Sequence, residues 1–413
     1  MAAADSFEPL APAARLPALD LVRGVAVLGI LLLNIVSFAM PQAAYDNPRA
    51  YGGWHGADLI AWAVNFILFD GRMRGLFSFL FGASMLLVVE RAEAGGGNGA
   101  IVHYRRMVWL LAFGLAHLWL VWEGDILAHY ALVGMLAYGF RYLPIPRLIA
   151  LGTTFALFNL LLFATIPLQM LEARHLTTPQ AARQLHDLIA AFGVPAPADI
   201  ATDLTLYRGS YGTILTQRFA DQAFGPFRLL FFIGAETLAY MLFGMAAFRS
   251  GMLTGAWPAA RYRRWLIVCW GCTLPAYVAL AIWLIASQFA LLPVMLTTLV
   301  FATLLRPAMI AGWICLLLLV LRADSPVGTR LAAAGRMAFT NYLATSLICT
   351  GIFYGYGAGW YGMLSRWQLY PVVIGLWGLI LAWSKPWLRR YRFGPFEWVW
   401  RSLARGALQP MRR

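Results

Sequence analysis

Apolar residues along this chain come in runs too long and continuous for strands or for half-buried surface helices, and polar residues collect between the runs. Backbone groups in a bilayer must find their hydrogen bonds inside each segment, so apolar runs of roughly 20 residues predict transmembrane α-helices. The pattern predicts helices over 19–40, 74–89, 107–122, 126–140, 148–170, 227–248, 265–287, 309–321, 337–356 and 370–383. Segment 58–70 is too short to span comfortably and is expected at the membrane interface. Segment 290–305 is apolar but carries Pro293 and ends at Arg306-Pro307, so it is expected to be re-entrant or interfacial. The longest polar stretch, 171–226, is expected to be a long external loop with an amphipathic helix near 179–192; loops of that length are usually lids, binding elements or linkers. The tail 385–413 is basic and aromatic and does not span. The expected fold is all-α: one integral membrane domain over 1–413, a transmembrane helical bundle of about ten spans.

Composition agrees, since 61% hydrophobic and 12% charged residues fit no ordinary soluble class. The net charge of +14 raises the question of nucleic acid. Basic residues here form short tracts between apolar runs rather than one basic face, so no nucleic-acid partner is expected. The tracts instead read as topology signals. With ten spans and both termini cytoplasmic, most basic residues fall on the inner side, including Arg105-Arg106, the 261–264 tract and the tail. An eleventh span at 290–305 would put 322–336 and the tail on opposite sides. Residues 1–17 carry Asp5, Glu8 and Arg15, and no cleavage site follows the first apolar run, so helix 19–40 is expected to be a retained anchor. Lys385 is the single lysine, which removes most Schiff-base and P-loop chemistry. Cys269 and Cys272 spell C-W-G-C inside an apolar run without the βαβ context of a redox motif, and core packing is the expected role.

Ionisable groups at membrane depth are expensive and mark functional sites by default. His117 lies near the end of one predicted helix and Asp125 at the start of the next, joined by the turn Glu123-Gly124-Asp125. An antiparallel pair brings the two together, and a carboxylate on one imidazole nitrogen frees the other to act as a base. The competing reading makes Asp125 a helix N-cap and His117 a packing residue. Arg23 and Asn34, eleven residues apart, share one face of the first helix, and could line a passage or simply snorkel and bond a neighbouring helix. His55 stands in the loop after that helix. His129 and Tyr130 are secondary candidates, Arg72 and Arg74 could bind an anionic group or, the favoured reading, anchor the helix end, and Glu123 reads as a solvated charge. Glu397 is expected to pair with an arginine in an interfacial segment.

The motifs Asp20-x-x-Arg23-Gly24, LFSFLFGAS over 76–84, Gly114-x-x-His117, Gly124-Asp125-Ile126-Leu127 with Tyr130, Gly335-Arg336-Met337-Ala338 with Thr340-Asn341-Tyr342, and Gly394-Pro395-x-Glu397-Trp398 cover nearly the whole chain. In them the chain resembles the YeiB-like family of bacterial membrane proteins, catalogued as domain-of-unknown-function group 418. That family is similar in turn to the transmembrane acyltransferases, including the lysosomal heparan-α-glucosaminide N-acetyltransferase, through Arg-Gly followed eleven residues after the arginine by a functional polar residue. Here that residue is Asn34, as in the lysosomal type. The lysosomal type carries its catalytic histidine eleven residues further on, where this chain has Tyr45. The base is then either His117, which matches the YeiB-like motif, or His55, which lies in the corresponding loop.

The resemblance implies a multi-pass protein of the bacterial inner membrane that moves an acyl group from cytoplasmic acyl-CoA, acetyl-CoA foremost, to a hydroxyl or amine on a small-molecule or glycan acceptor. It implies no metal. Arg23, Arg105 and Arg106 would meet the donor, His117 with Asp125 would take the proton, and Asn34 would hold the carbonyl. The rival expectation is a transporter or exporter of a small molecule or lipid, with the same residues lining a pathway. Aromatic-rich helix faces permit a homodimer.

Overall fold

The computed structural model describes residues 16–413, and the reading of 1–15 as a segment without a cleavage signal lies outside them. Among the described residues there is no β-strand, only an isolated bridge between Tyr391 and Arg412. The helices run α1 (Pro17–Ala39), α2 (Gly56–Val64), α3 (Arg72–Ala94), α4 (Gly99–Leu120), α5 (Leu127–Ala137), α6 (Ile145–Ala173), α7 (Pro179–Phe192), α8 (Pro197–Tyr207) and α9 (Tyr211–Gln222). The second half holds α10 (Gly225–Arg249), α11 (Ala259–Ala286), α12 (Leu291–Met295), α13 (Ala302–Val320), α14 (Pro326–Arg336), α15 (Ala338–Phe353), α16 (Leu369–Arg390) and α17 (Pro395–Arg405). Among the described residues, seven stretches are long and apolar enough to cross a membrane: α1, α2 with α3, α6, α10, α11, α12 with α13, and α16. Two shorter apolar helices, Leu127–Phe140 and Ala338–Phe353, pack among them.

Burial sorts these helices into a centre and a rim. The apolar window of α1 is 72% buried, whereas those of α6 and α11 are 17% and 22% buried and turn most of their leucine, isoleucine and phenylalanine outward. In lipid, apolar burial gives no drive for helix association, so close approach of small residues carries it. The motif glycines sit at such crossings. A Cβ on Gly24 would lie 2.0 Å from the Leu331 carbonyl oxygen and one on Gly335 2.0 Å from that of Asp20, so α1 and α14 cross with their backbones in contact. Gly82 and Gly244 do the same between α3 and α10, and Gly114 between α4 and Ala128 of α5.

A buried ionic knot ties the centre together. Glu236 of α10 accepts from Arg74 of α3, from Arg306 of α13 and from the Tyr240 hydroxyl. Arg72 is fully buried with its guanidinium 3.6 Å from the Tyr277 ring centroid. Both arginines therefore anchor α3, as expected, whereas the part of Glu236 and Arg306 was missed even though each interrupts an apolar run.

Three sequence expectations change. Segment 290–305 is not a separate re-entrant piece: α12 passes through a π-helical turn, Leu296–Phe301, into α13, giving one 30-residue helix. Pro293 lies in its first turn, where no N–H is missed, and membrane helices accommodate an interior proline such as Pro307. The expected loop 171–226 is three helices, α7 to α9, with α7 where the amphipathic pattern put it. The tail is shorter, because α16 continues to Arg390 before α17 begins.

Candidate functional site

The basic segments gather at one end of the bundle. There the N-termini of α1 and α4, the C-terminus of α3, the α14–α15 junction and α17 enclose a cavity of ≈ 410 Å³. Its walls follow helical stripes. On α1 they are Arg23, Val27 and Ile30; on α4, His103, Arg106, Met107 and Leu110; on α15, Ala338, Phe339 and Tyr342. The LFSFLFGAS run supplies Phe77, Leu80, Phe81 and Ser84. The mouth is cationic and the interior apolar. Arg23 donates to Asp20 Oδ1 at 2.9 Å and to Ser84 Oγ at 2.7 Å, which explains why Asp-x-x-Arg-Gly and the distant serine belong to one pattern.

Arg106 and Arg401 are the cations that matter most at this mouth. Among the described residues neither forms an ion pair. Arg106 lies over the Trp400 ring at 4.2 Å while Trp400 Nε1 donates to the Arg106 carbonyl oxygen, so α17 is fastened to α4 across the opening. Arg401 has a buried Nε with no partner, and burial, with Arg405 next in weight, pushes its guanidinium down to about 10. A guanidinium in that position stays charged at neutral pH, so a bound anion would offset the cost of its burial and the repulsion from Arg405. Arg105 lies elsewhere: one residue before Arg106, it is exposed on the outer face of α4 beside Gly406. The spacing along α4 could not tell the two apart, and Arg401 carried no signal beyond its place in a basic tail.

Glu397 is not paired to an arginine within ion-pair distance. Its carboxylate accepts from the backbone N–H of Phe339 at 2.8 Å and of Thr340 at 3.0 Å, and from the Thr340 hydroxyl. A carboxylate on the first free N–H groups of α15 satisfies orphan donors and suits the positive end of the helix dipole. Burial pushes the Glu397 carboxyl up from its ordinary value while these hydrogen bonds pull it down. The separated motifs Gly394-Pro395-x-Glu397 and Thr340-Asn341-Tyr342 are thus the two halves of one contact. Asn341 completes it by bonding the Ala334 carbonyl oxygen at 3.0 Å.

The α4–α5 turn does bring His117 and Asp125 together. His117 Nδ1 and Asp125 Oδ1 are 2.8 Å apart, and both side chains are buried. Asp125 Oδ2 accepts from the Ala128 N–H at 2.8 Å, so the aspartate caps α5 and orients the imidazole at once. The carboxylate holds the proton on Nδ1, and Nε2 is left as an acceptor with no partner. His117 lies eleven residues beyond Arg106, three turns along the same face of α4 and about 16 Å up the helix. It does not itself reach the cavity wall; Tyr342 stands between, its ring centroid 5.2 Å from that of His117. Asn34 is half-buried and continues the α1 stripe one turn past Ile30, again just beyond the inner end of the cavity.

The remaining histidines are placed differently. His55 is exposed at the start of α2, its ring 4.0 Å from Trp54, and does not line the cavity. His129 bonds Thr237 and His103 bonds the Gly134 carbonyl oxygen, each at 2.9 Å, as packing residues do. Glu123 is not simply solvated, since the Tyr207 hydroxyl of α8 donates to it. Through Tyr207, and through Arg218 of α9, which donates to the Trp119 carbonyl oxygen, the helices of 171–226 cover the turn that carries the dyad.

Fold and site together define a multi-pass helical membrane protein with a cation-mouthed, apolar cavity leading toward a buried histidine–aspartate pair. Residues 247–407 match the family described as "Protein of unknown function (DUF418)". The chain is 30% identical over 430 residues to the "Uncharacterized protein YxaH" of Bacillus subtilis (strain 168), covering 98% of both chains. It is 31% identical over 404 residues to the "Uncharacterized protein YeiB" of Escherichia coli (strain K12), covering 95% of this chain and 97% of that one. The protein belongs to the YeiB-like DUF418 family.

Proposed function

We propose that the protein is an acyl-CoA-dependent acyltransferase of the bacterial inner membrane with ten spans: the seven long stretches, α4 and the two shorter apolar helices. The basic end is cytoplasmic under the positive-inside rule. The observation that carries the reading is the cavity whose cationic mouth and apolar walls lead along α1, α4 and α15 toward Asn34 and His117. Phosphates of the donor rest on Arg23, Arg106 and Arg401, and its extended pantetheine arm follows the apolar walls inward. His117 Nε2 takes the proton of the acceptor hydroxyl or amine as that atom attacks the thioester carbonyl. Asn34 stabilises the oxygen that becomes negative. The carbon–sulfur bond then breaks, and the CoA thiolate leaves with the proton held by His117. The helices of 171–226 cover a small-molecule or glycan acceptor on the opposite side.

Purified protein tests this directly. Acyl-CoA is expected to raise the thermal midpoint, since a ligand that binds only the native state stabilises it, and R106A with R401A is expected to remove the shift. H117A is expected to keep the shift and to lower transfer on the order of 10² to 10⁴-fold. No response to any acyl-CoA, or full transfer by H117A, overturns the assignment.

A further inference from the structure

One side chain touches both the cavity and the dyad. Tyr342 lines the inner end of the cavity, and its ring lies against that of His117. On the far side the Trp122 ring centroid is 6.4 Å from that of His117 and 3.9 Å from that of Phe38. Phe38 stands one turn beyond Asn34 on the α1 stripe that begins at Arg23. Two polar atoms in this cluster are buried with no hydrogen-bond partner, His117 Nε2 and Trp122 Nε1. A buried polar atom left unpaired is costly, so this arrangement leaves a demand that an entering polar group would satisfy. Two rows of cavity-lining side chains, on α1 and on α4, point past the closed end at Asn34 and His117. Between them stands the Tyr342 phenol, beside Ile126 and Leu127 of the α5 start, on a helix whose fold is held from below by Glu397 and Asn341.

We propose that Tyr342 is a movable partition. When its ring swings aside, the polar atoms of His117 and Trp122 come within reach of the arginine-ringed cavity. They would meet a neutral carbonyl group: the Trp122 indole N–H can donate to its oxygen alongside Asn34, and His117 Nε2 can accept the attacking nucleophile's proton. The inference rests on the acyl-transfer reading for the identity of the carbonyl, a thioester. The partition itself stands on geometry alone and is tested without any turnover.

In a background in which the four cysteines Cys269, Cys272, Cys315 and Cys349 are replaced by serine, H117C is exposed to a small, charged methanethiosulfonate reagent in purified protein. Labelling is expected to be slow with Tyr342 in place, at least tenfold faster when Y342A is added, and unchanged with Y342F, which keeps the ring. L110W, which fills the cavity below the partition, is expected to cancel the gain from Y342A. Rapid labelling with Tyr342 present, no gain from Y342A, or a gain that survives L110W overturns the partition. Labelling reports access to position 117 and not chemistry. A failed partition therefore leaves the acyl-CoA shift as the separate judge of the enzyme reading, and a failed acyl-CoA shift leaves the partition standing or falling on its own rates.

Discussion

A buried histidine is informative through the partners of both its nitrogens. His129 and His103 each spend Nε2 on a neighbouring helix, bonding Thr237 and Gly134, and His129, like His117, leaves its other nitrogen buried without a partner, so what sets His117 apart is the carboxylate on its bonded nitrogen. His117 spends Nδ1 on Asp125 and keeps Nε2 free in the same cluster as Tyr342 and Trp122. The pairing with Asp125 was legible, because a three-residue turn between apolar runs forces an antiparallel approach. The free nitrogen was not, because it depends on α1 and α15, far away in sequence. Glu397 teaches the converse: surrounded by arginines in sequence, it caps α15 instead. Removing it with E397A leaves buried N–H groups of Phe339 and Thr340 unpaired and should cost about 1–3 kcal/mol. Thermal unfolding in detergent measures this, with E397Q, which keeps an accepting oxygen, expected to lose less.

At the scale of elements, apolar run length located five of the ten expected spans to within a few residues at both ends, missed one end of the others by five residues or more, and went wrong where local signals compete with tertiary support. Pro293 and Arg306-Pro307 read as breaks, yet α12 and α13 are continuous, because Arg306 is neutralised by Glu236 and the prolines lie where the backbone tolerates them. The same carboxylate joins α3, α10 and α13, so its loss strands two buried guanidinium groups. Truncation of one partner of a buried ion pair costs about 3–5 kcal/mol, and E236A should destabilise by that order. The check is the thermal midpoint of purified protein. An unchanged midpoint would show that these three helices are held by their glycine crossings alone. In 193–222 the only local marks of α8 and α9 are Pro197 at the first position of α8 and the Ser210 cap of α9, and their low hydrophobicity reads as loop; packing against the Tyr354–Tyr361 region and the end of α4 holds them as helices.

For the whole molecule, the proposed sidedness follows from charge. Arginines of α1, α3, α4, α14 and α17 line one mouth, while α7 to α9 cover the other end. The proposed ten crossings would put that mouth in the cytoplasm. A reporter fused after Arg322 is therefore expected to read cytoplasmic in intact cells, and an external reading would reverse the bundle and with it the side from which a donor could enter.

The chain by itself determined that the protein is an all-helical membrane bundle, where the centres of its apolar helices lie, and which turn brings His117 to Asp125. Those features follow from backbone hydrogen bonding in lipid and from neighbours along one or two helices. Only the tertiary structure decided that Arg106 and Arg401, not Arg105, face the mouth, that Glu397 belongs to Thr340, and that Tyr342 stands between the cavity and the dyad. Each of those depends on the rotation of one helix about its axis relative to partners up to hundreds of residues away. Side-chain rotation at a crossing is set by packing between helices, which no local pattern encodes.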